Sequence, residues 1–206
     1  MHSPPLSAPA ERNKQPILDV LRRVLAPRGA ALEIASGTGQ HAAWFAAGLP
    51  GWTWQPTDAD PESLPAITAW TAGASNVHPP LLLDVMAPQW PAQGSGFAGS
   101  FDAIYCANML HISPWATCAA LMHGAARYLS AQGELITYGP YLEEGVPTSP
   151  GNLSFDHSLR MRNPDWGIRT LQDVANEARR AGLAMRERHA MPANNLLLVF
   201  ARTTDS

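Results

Sequence analysis

Short apolar runs alternate along the chain with segments of helical periodicity, and this alternation constrains the fold more than any other feature. The runs ALEIA, WTWQ, LLLDV, FDAIYCA and ELITY have the length of strands, and apolar residues recur at helical spacing between them. Two more strand-like segments, LAMRER and NLLLVFA, follow near the end. Strands that alternate with helices are typical of an α/β fold with a mostly parallel sheet. Such sheets bind ligands beyond the carboxyl ends of their strands, so the residues that follow each run are the candidates for a site.

The size and composition indicate one globular domain. The chain has 206 residues, 46% of them hydrophobic and 15% charged, and it is long enough to bury a core without a disulfide or a metal. We expect a single domain over residues 1–206 whose proline- and alanine-rich segment 1–12 is mobile. Cys106 and Cys118 lie in apolar stretches and indicate buried thiols in a reducing compartment. Because the N-terminus also lacks the apolar core of a signal peptide, we expect a cytoplasmic protein.

The distribution of charge argues against several kinds of partner. The net charge is −3, so no excess of positive charge exists to neutralise a nucleic-acid backbone, and we expect no nucleic-acid partner. Lys14 is the only lysine, which excludes a P-loop. The uncharged stretch 103–126 is long enough to span a bilayer, but it contains Asn108, His111 and other polar residues. We interpret it as a buried strand, a turn and a helix, and expect no membrane partner.

The segment EIASGTGQH joins the first apolar run to the next helix and is the most informative motif. Gly37 and Gly39 stand where a ligand can approach backbone N–H groups closely, although a tight strand-to-helix turn would need the same glycines. A dinucleotide fingerprint would place glycine at Ala35, Gly37 and Gln40, and two of these three positions lack it. The pattern therefore disfavours a nicotinamide-dependent oxidoreductase.

Two acids lie near the ends of the second and third apolar runs. Asp58 comes 25 residues after Glu33, close to the distance at which a carboxylate meets ribose hydroxyls in nucleotide-binding sheets. The alternative for Asp58 is a helix N-cap, which Asp60 fills better because Pro61 follows it. Asp84 ends the third run, where its carboxylate suits an adenine amine or an ordinary surface turn. Acids at successive strand ends favour a nucleoside ligand.

Together, LEIASGTGQH, the acid after the second run, LLLDV, FDAIYCANMLHI and GELITYGPY resemble the class I S-adenosylmethionine-dependent methyltransferases. The motifs SAPAERNKQPIL, FDAIYCANMLHISPW, NLSFDHSLRMRNPDWGIR and MPANNLLLVF resemble more closely the domain-of-unknown-function 938 family, also called methyltransferase-like 26. The resemblance covers about residues 7–202. It implies a Rossmann-like fold with a seven-stranded, mostly parallel sheet, an antiparallel last strand and helices on both faces.

The resemblance also implies S-adenosylmethionine as cofactor and S-adenosylhomocysteine as product. The cofactor-binding residues that it implies are Glu33, Ser36, Gly37, Gly39, Asp58, Asp84, Val85, Asn108, Met109 and Asn13. In this scheme the first strand and its glycine loop hold the methionine part, Asp58 binds the ribose, and Asp84 and Val85 border the adenine. Asn13 belongs to an N-terminal segment that folds over the cofactor, with a helix cap before Pro16 as its alternative role.

Two candidates for catalysis, one beyond the fourth run and one at the end of the fifth, are His111 and Tyr138. His111 lies at the mouth of the expected site, and its imidazole titrates near neutral pH, so it suits a general base. The alternative is a histidine that orients its loop by hydrogen bonds. Tyr138 offers a hydroxyl or an aromatic wall, with ordinary packing as its alternative. No Pro-Pro-aromatic step follows Asn108, so the sequence does not indicate an adenine or glutamine nitrogen as acceptor.

The segment 139–169 is too long for a simple connection and is predicted to form an insertion over the active site. Its substrate-binding candidates mix aromatic, amide and guanidinium groups: Tyr141, Asn152, Phe155, Arg160, Trp166 and Arg169. Arginine suits a carboxylate or phosphate, but Asp156 and Arg160 also have the spacing of an internal helical ion pair. No histidine pair or cysteine cluster has zinc-like spacing, so we expect no metal.

These features predict an S-adenosylmethionine-dependent methyltransferase that acts on a small molecule. A cofactor-binding protein without catalysis, working as a partner or regulator, remains an alternative from the same motifs. The sequence leaves open the acceptor, the acceptor atom and the oligomeric state.

Overall fold

The fold comes from a computed structural model, and the structure describes residues 4–203. Its strands are β1 Gly29–Ile34, β2 Trp52–Asp58, β3 Leu81–Leu82, β4 Phe101–Ala107, β5 Leu129–Leu142, β6 Arg169–Thr170, β7 Leu183–Met191 and β8 Asn195–Arg202. Its α-helices are α1 Ala8–Val24, α2 Gln40–Gly48, α3 Leu64–Trp70, α4 Ala116–Tyr128, α5 Pro150–Arg162 and α6 Leu171–Arg180. Short 3₁₀ turns cover Pro61–Ser63, Met109–His111 and Pro192–Asn194.

Seven strands form one sheet in the order β3-β2-β1-β4-β5-β8-β7. β8 is antiparallel to both of its neighbours, whereas the other pairings along the sheet are parallel. The two-residue strand β6 pairs with the end of β5 outside this order. The predicted Rossmann-like sheet with an antiparallel last strand is therefore confirmed. The third strand is shorter than the run LLLDV, since only its first two residues pair.

Two apolar clusters cover the two faces of the sheet. On one face α1 and α2 pack on the sheet through residues such as Ile17 and Phe45. On the other face α4 and α6 pack through residues such as Leu121 and Val174. Burial of large apolar side chains on both faces is the main source of stability in such a sheet. Within residues 4–203, no helix combines the length and the apolar character that crossing a membrane requires.

The N-terminal helix begins earlier than the sequence suggested. α1 starts at Ala8, inside the segment expected to be mobile, because the Ser7 hydroxyl caps it by accepting the N–H of Ala10. Asn13 is therefore no helix cap, and Pro16 lies within the helix. The first three residues of the 1–12 segment lie outside the described residues.

The segment 139–169 has more regular structure than the sequence suggested. It contains the end of β5, all of α5 and the start of β6. Ser149 caps α5 by accepting the N–H of Asn152, and Pro150 occupies the first helical position. Leu159 is the one buried residue of α5. The weak periodicity of this helix in the sequence follows from that, since a helix that rests on the domain surface buries only a narrow stripe.

Candidate functional site

The carboxyl ends of β1, β2, β4 and β5 meet at one edge of the sheet, where open α/β sheets bind their ligands. The loop 35–40 follows β1, and Asp58 is the last residue of β2. Asn108 follows β4, and Gly139 lies near the end of β5. Most of the residues predicted to bind a cofactor therefore lie along this single edge.

The glycine loop takes left-handed backbone conformations at three positions. Ala35, Gly37 and Gly39 have φ angles of 56°, 58° and 87°. A Cβ on Gly39 would lie 2.7 Å from the Cα of Ile67 in α3, so this glycine permits close packing of the loop on the next helix. A Cβ on Gly37 would meet no atom within 4 Å, so Gly37 faces open space at the sheet edge. Ala35 tolerates a conformation that usually favours glycine.

Asp58 fastens this loop to the end of β2. Its Oδ2 accepts the N–H of Gly37 at 2.8 Å, and its Oδ1 accepts the N–H of Asp60 at 3.0 Å. The side chain of Asp60 caps the following turn by accepting the N–H of Glu62, so Asp58 is free of the N-cap role. The Asp58 carboxylate is largely buried and keeps lone pairs for further donors.

Glu33 is fully buried in β1, where its Oε2 accepts the indole N–H of Trp54. Burial raises the pKa of Glu33 to about 8, and the negative charge of Asp58 acts in the same direction. The neighbouring Ser36 joins the strand ends, since its N–H donates to Thr57 O at 2.9 Å. Glu33 is therefore a protonated, preorganised polar group beneath the glycine loop at neutral pH.

Asp84 and Val85 lie beyond β3. Asp84 is exposed and its Oδ1 accepts the N–H of Met86, which is the contact of a surface turn. Val85 is buried, and its carbonyl accepts the indole N–H of Trp90 at 3.1 Å. Both residues lie two strands from β1 at the edge of the sheet, on the side of Asp58.

Asn108, Met109 and His111 form the turn beyond β4. Asn108 is left-handed with a φ of 63°, and its N–H donates to Tyr138 O at 2.7 Å. A Cβ on Gly139 would lie 3.3 Å from His111 Nδ1 and 3.6 Å from Asn108 Oδ1, so the two side chains converge over β5. Burial lowers the pKa of His111 to about 4, helped by the positive charge of Arg169. His111 is therefore neutral at neutral pH, as a general base must be, but it is a weak one.

Tyr138 and Tyr141 point to opposite faces of β5. The Tyr138 side chain belongs to the apolar cluster under α1, and its hydroxyl accepts from Asn195 Nδ2 at 3.1 Å. Tyr141 belongs to the cluster under α4 and donates its hydroxyl to Thr137 Oγ1 at 2.8 Å. The structure thus brings Tyr138 to the α1 side of the sheet edge, while Tyr141 is occupied in the core.

The first turns of α1 lie against the glycine loop. Asn13 Oδ1 is 2.7 Å from His41 Nε2, and His41 Nδ1 is 3.3 Å from the Tyr105 hydroxyl. Burial lowers the pKa of His41 to about 4, so the imidazole is neutral at neutral pH. The tautomer with a proton on Nε2 is consistent with these contacts, because Nε2–H can then donate to Asn13 Oδ1. Gln40 extends the contact by accepting the N–H of Ser7 and donating to Glu11. Sequence reasoning missed His41, because its partners are distant in the chain.

The candidates from the 139–169 segment are mostly engaged with other parts of the protein. Arg169 donates to the carbonyls of Leu110, Ser113 and Asp165 at 2.6–2.9 Å. Arg160 pairs with Asp156 at 2.9 Å, as the helical spacing allowed.

The remaining candidates of this segment lie near α5. Asn152 donates to Asn194 O at 2.9 Å, which ties α5 to the turn between β7 and β8. Phe155 packs edge-on against His111 with ring centroids 5.5 Å apart. Trp166 stacks under the guanidinium of Arg162. Phe155 therefore reaches from α5 to the turn beyond β4.

The geometry and the sheet order define a class I methyltransferase-like fold, and comparisons with solved structures agree. Mitomycin 7-O-methyltransferase MmcR matches with a TM-score of 0.77 and 14% identity, over 95% of this chain and 56% of that one. An O-methyltransferase family protein from Burkholderia thailandensis matches with a TM-score of 0.76 and 18% identity, over 96% and 58%.

The calicheamicin-biosynthesis methyltransferase CalO1, in its S-adenosylhomocysteine-bound form, matches with a TM-score of 0.74 and 15% identity, over 93% of this chain and 54% of that one. The chain thus spans little more than half the length of these proteins. At such identities the likeness concerns the fold.

The family is defined by sequence. Residues 4–202 match the family described as "Protein of unknown function (DUF938)", and the chain belongs to this family.

Proposed function

We propose that this protein transfers a methyl group from S-adenosylmethionine to a small-molecule acceptor. The observation that carries the proposal is the hydrogen bond between the glycine loop and β2, in which Asp58 accepts the N–H of Gly37. Gly37 itself faces open space, where a ligand can approach. An acid and a close backbone approach at adjacent strand ends suit a nucleoside that carries a charged tail. The solved methyltransferases of the same fold support this assignment.

The residues at the edge fit the proposed cofactor. Asp58 would accept from the ribose hydroxyls, and the loop 35–40 with Glu33 and Ser36 would hold the methionine part. Asp84 and Val85 would border the adenine, and Asn13 would cover the cofactor from α1. When bound, S-adenosylmethionine supplies an activated methyl group on a sulfonium.

The protein's own task is to hold the acceptor in line and to exclude water. Asn108, Met109 and His111 lie beyond β4, where the acceptor would approach, and Phe155 closes over His111. The neutral His111 imidazole would accept a proton from an acidic acceptor such as a phenol. Its low pKa makes it an inefficient base for an aliphatic alcohol. Tyr138 would orient the acceptor rather than remove its proton, because burial raises the pKa of its hydroxyl.

Calorimetry tests the cofactor. S-adenosylmethionine and S-adenosylhomocysteine should bind, and NAD should not. Asp58→Asn removes the negative charge that the ribose hydroxyls would share, so affinity should fall about tenfold or more. Asp102→Asn is the matched control, because Asp102 also accepts a backbone N–H, that of Ala30 at 3.0 Å, but at the amino end of β4. Tight NAD binding without any binding of the sulfonium compounds would refute the assignment.

Catalysis is tested separately with methyl-labelled S-adenosylmethionine and a metabolite extract. Transfer of label to a small molecule is expected. Cofactor binding without transfer to any fraction would instead favour a binding protein that acts as a partner or regulator.

A further inference from the structure

A surface cavity of about 490 Å³ opens where α5, β6 and α6 meet. Its volume is in the range of small-molecule sites. None of the described residues that line it is among those proposed to hold the cofactor or the acceptor. Its walls include three guanidiniums and three apolar side chains, those of Arg160, Arg169, Arg180, Trp115, Leu142 and Ile168. The cavity is therefore a second candidate site, whose chemistry methyl transfer does not use.

The charge of the cavity walls is mainly positive. Among the described residues that line the cavity, Asp173 is the one acid, and its Oδ2 already accepts the hydroxyl of Thr170 at 2.6 Å. Burial lowers the pKa of Arg169, and the positive charge of Arg160 acts in the same direction, so the two guanidiniums repel each other. An anion between them would relieve this repulsion, and the guanidinium fork suits a carboxylate or a phosphate.

Each of the three guanidiniums uses only part of its five N–H donors inside the protein. Arg160 donates from Nε to Asp156, and Arg180 donates from Nη1 to Glu177. Arg169 donates from Nε and Nη2 to backbone carbonyls. Within residues 4–203, both Nη groups of Arg160, Nη1 of Arg169, and Nε and Nη2 of Arg180 have no hydrogen-bond partner. The cavity therefore offers donors from three side chains.

The three arginines combine one fixed position with two adaptable ones. Arg169 is held by three carbonyls at 2.6–2.9 Å and lies over the Trp115 ring at 5.6 Å, so it would meet an anion with little loss of side-chain freedom. Arg160 and Arg180 are 51% and 70% exposed, and ion pairs of such exposed side chains are weak. These two arginines can therefore turn toward a ligand at little cost in stability.

The apolar walls determine what kind of anion suits the cavity. An inorganic ion would leave Trp115, Leu142 and Ile168 uncovered. A ligand with an apolar body would cover these side chains, while its anionic group would accept from the guanidiniums. We propose that this cavity binds a small organic anion, a carboxylate or a phosphate ester with an apolar body. The inference goes beyond methyl transfer and does not depend on it.

Benzoate, phenyl phosphate and the neutral benzamide are the probes of this cavity, and NMR titration of the protein follows their binding. At least one of the two anions should bind at least about tenfold more tightly than benzamide, because charge-assisted hydrogen bonds distinguish them. Arg160→Gln and Arg180→Gln should each weaken binding of that anion about fivefold or more and change benzamide binding by less than about twofold. Arg162→Gln is the matched control, because Arg162 is an exposed arginine of α5 outside the cavity walls. Equal binding of the anions and benzamide, or equal effects of the three substitutions, would overturn the proposal.

Further measurements locate the anion and separate this site from the cofactor. The indole N–H signal of Trp115, assigned with Trp115→Phe, should shift on binding, and an unshifted signal would place the anion elsewhere and overturn the proposal. Equal affinity for inorganic phosphate would show that the apolar walls are not used, which would also overturn it. Saturating S-adenosylhomocysteine should leave the affinity for the anion within about twofold, whereas competition would assign the anion to the cofactor edge. If S-adenosylhomocysteine does not bind at all, the proposed methyl transfer fails, and the titration still decides whether the cavity holds an anion.

Discussion

The two halves of the carboxyl edge are constructed in different ways. On the β1–β2 half, the loop 35–40 is held by backbone groups, by Asp58 and by close packing of Gly39 on α3. On the β4–β5 half, the cover formed by α5 buries only Leu159 and is held by side chains that clamp backbone carbonyls or pair with one another. The first half allows one local geometry, whereas the second can change its surface residues without changing the sheet. A shared cofactor and a variable acceptor would require this division.

The largest expected effect comes from Gly39→Ala on the β1–β2 half. The added methyl would lie 2.7 Å from backbone of α3 in a left-handed conformation, so we expect a loss of about 3 kcal/mol or more in the free energy of unfolding. Gly37→Ala is the matched control, with the same backbone region but open space, and should lose only about 1 kcal/mol. Urea denaturation measures both. Equal losses would show that packing on α3 does not fix the loop.

An intermediate effect is expected from Arg169→Ala on the β4–β5 half. Removing three charge-assisted bonds to backbone carbonyls should lower the free energy of unfolding by about 2–3 kcal/mol. Arg160→Ala breaks a pair whose arginine is half exposed, so it should cost about 0.5 kcal/mol. Thermal and urea unfolding of the two variants compare these costs. A larger loss for Arg160→Ala would identify the α5 ion pair, not Arg169, as the clamp of the cover.

The smallest effect compares one buried histidine on each half. His41 and His111 have pKa values of about 4 in the fold, against an ordinary value of 6.5, because burial disfavours their charged forms. The unfolded chain therefore takes up protons first, and stability present above pH 6.5 is lost as the pH falls toward 4. Between pH 7 and pH 5, each histidine should contribute a loss of about 2 kcal/mol. His41→Gln and His111→Gln should each flatten the pH profile of urea unfolding by that amount.

The exposed residue His123 provides the control for this comparison. His123→Gln should keep the wild-type pH profile. If only one of His41→Gln and His111→Gln flattens the pH profile, the histidine of the other half must become accessible to water as the pH falls.

The conformation of the β1–β2 half could be predicted from the sequence, because it depends on residues that are close together in the chain. The glycines of the loop 35–40, the acid that ends β2 and the cap at Asp60 occupy fixed positions relative to apolar runs. The same signals predicted the sheet, whose strands are the apolar runs themselves. Ser7 also gives a local signal, since it precedes Pro9 and Glu11 as an N-cap would, yet the proline-rich composition of segment 1–12 obscured it.

Two features could not be predicted: the contacts of α5, and the hydrogen bonds that link Asn13, His41 and Tyr105 under α1. Both join residues that are distant in the sequence. The spacing of Asp156 and Arg160 was compatible with an ion pair or with substrate binding, and only the packed α5 distinguishes them. Arg169 reaches a carbonyl 59 residues away, at Leu110. His41 and Asn13 are 28 residues apart, and no sequence motif at either position predicts their contact.

The position of β8 between β5 and β7 has a consequence for biosynthesis. β8 is the last of the described strands to leave the ribosome, yet it supplies Asn195, which holds the hydroxyl of Tyr138. α1 is the first of the described helices to emerge, and it packs in the apolar cluster that contains Tyr138 and the β8 residues Leu197 and Val199. The apolar surface that α1 covers is therefore complete only after about 170 further residues have been translated, which takes about 10–35 s at the usual rates. The glycine loop and β2, which are close in sequence, can pair long before that, so a nascent chain would complete the side proposed to bind the nucleoside well ahead of the side proposed to receive the acceptor.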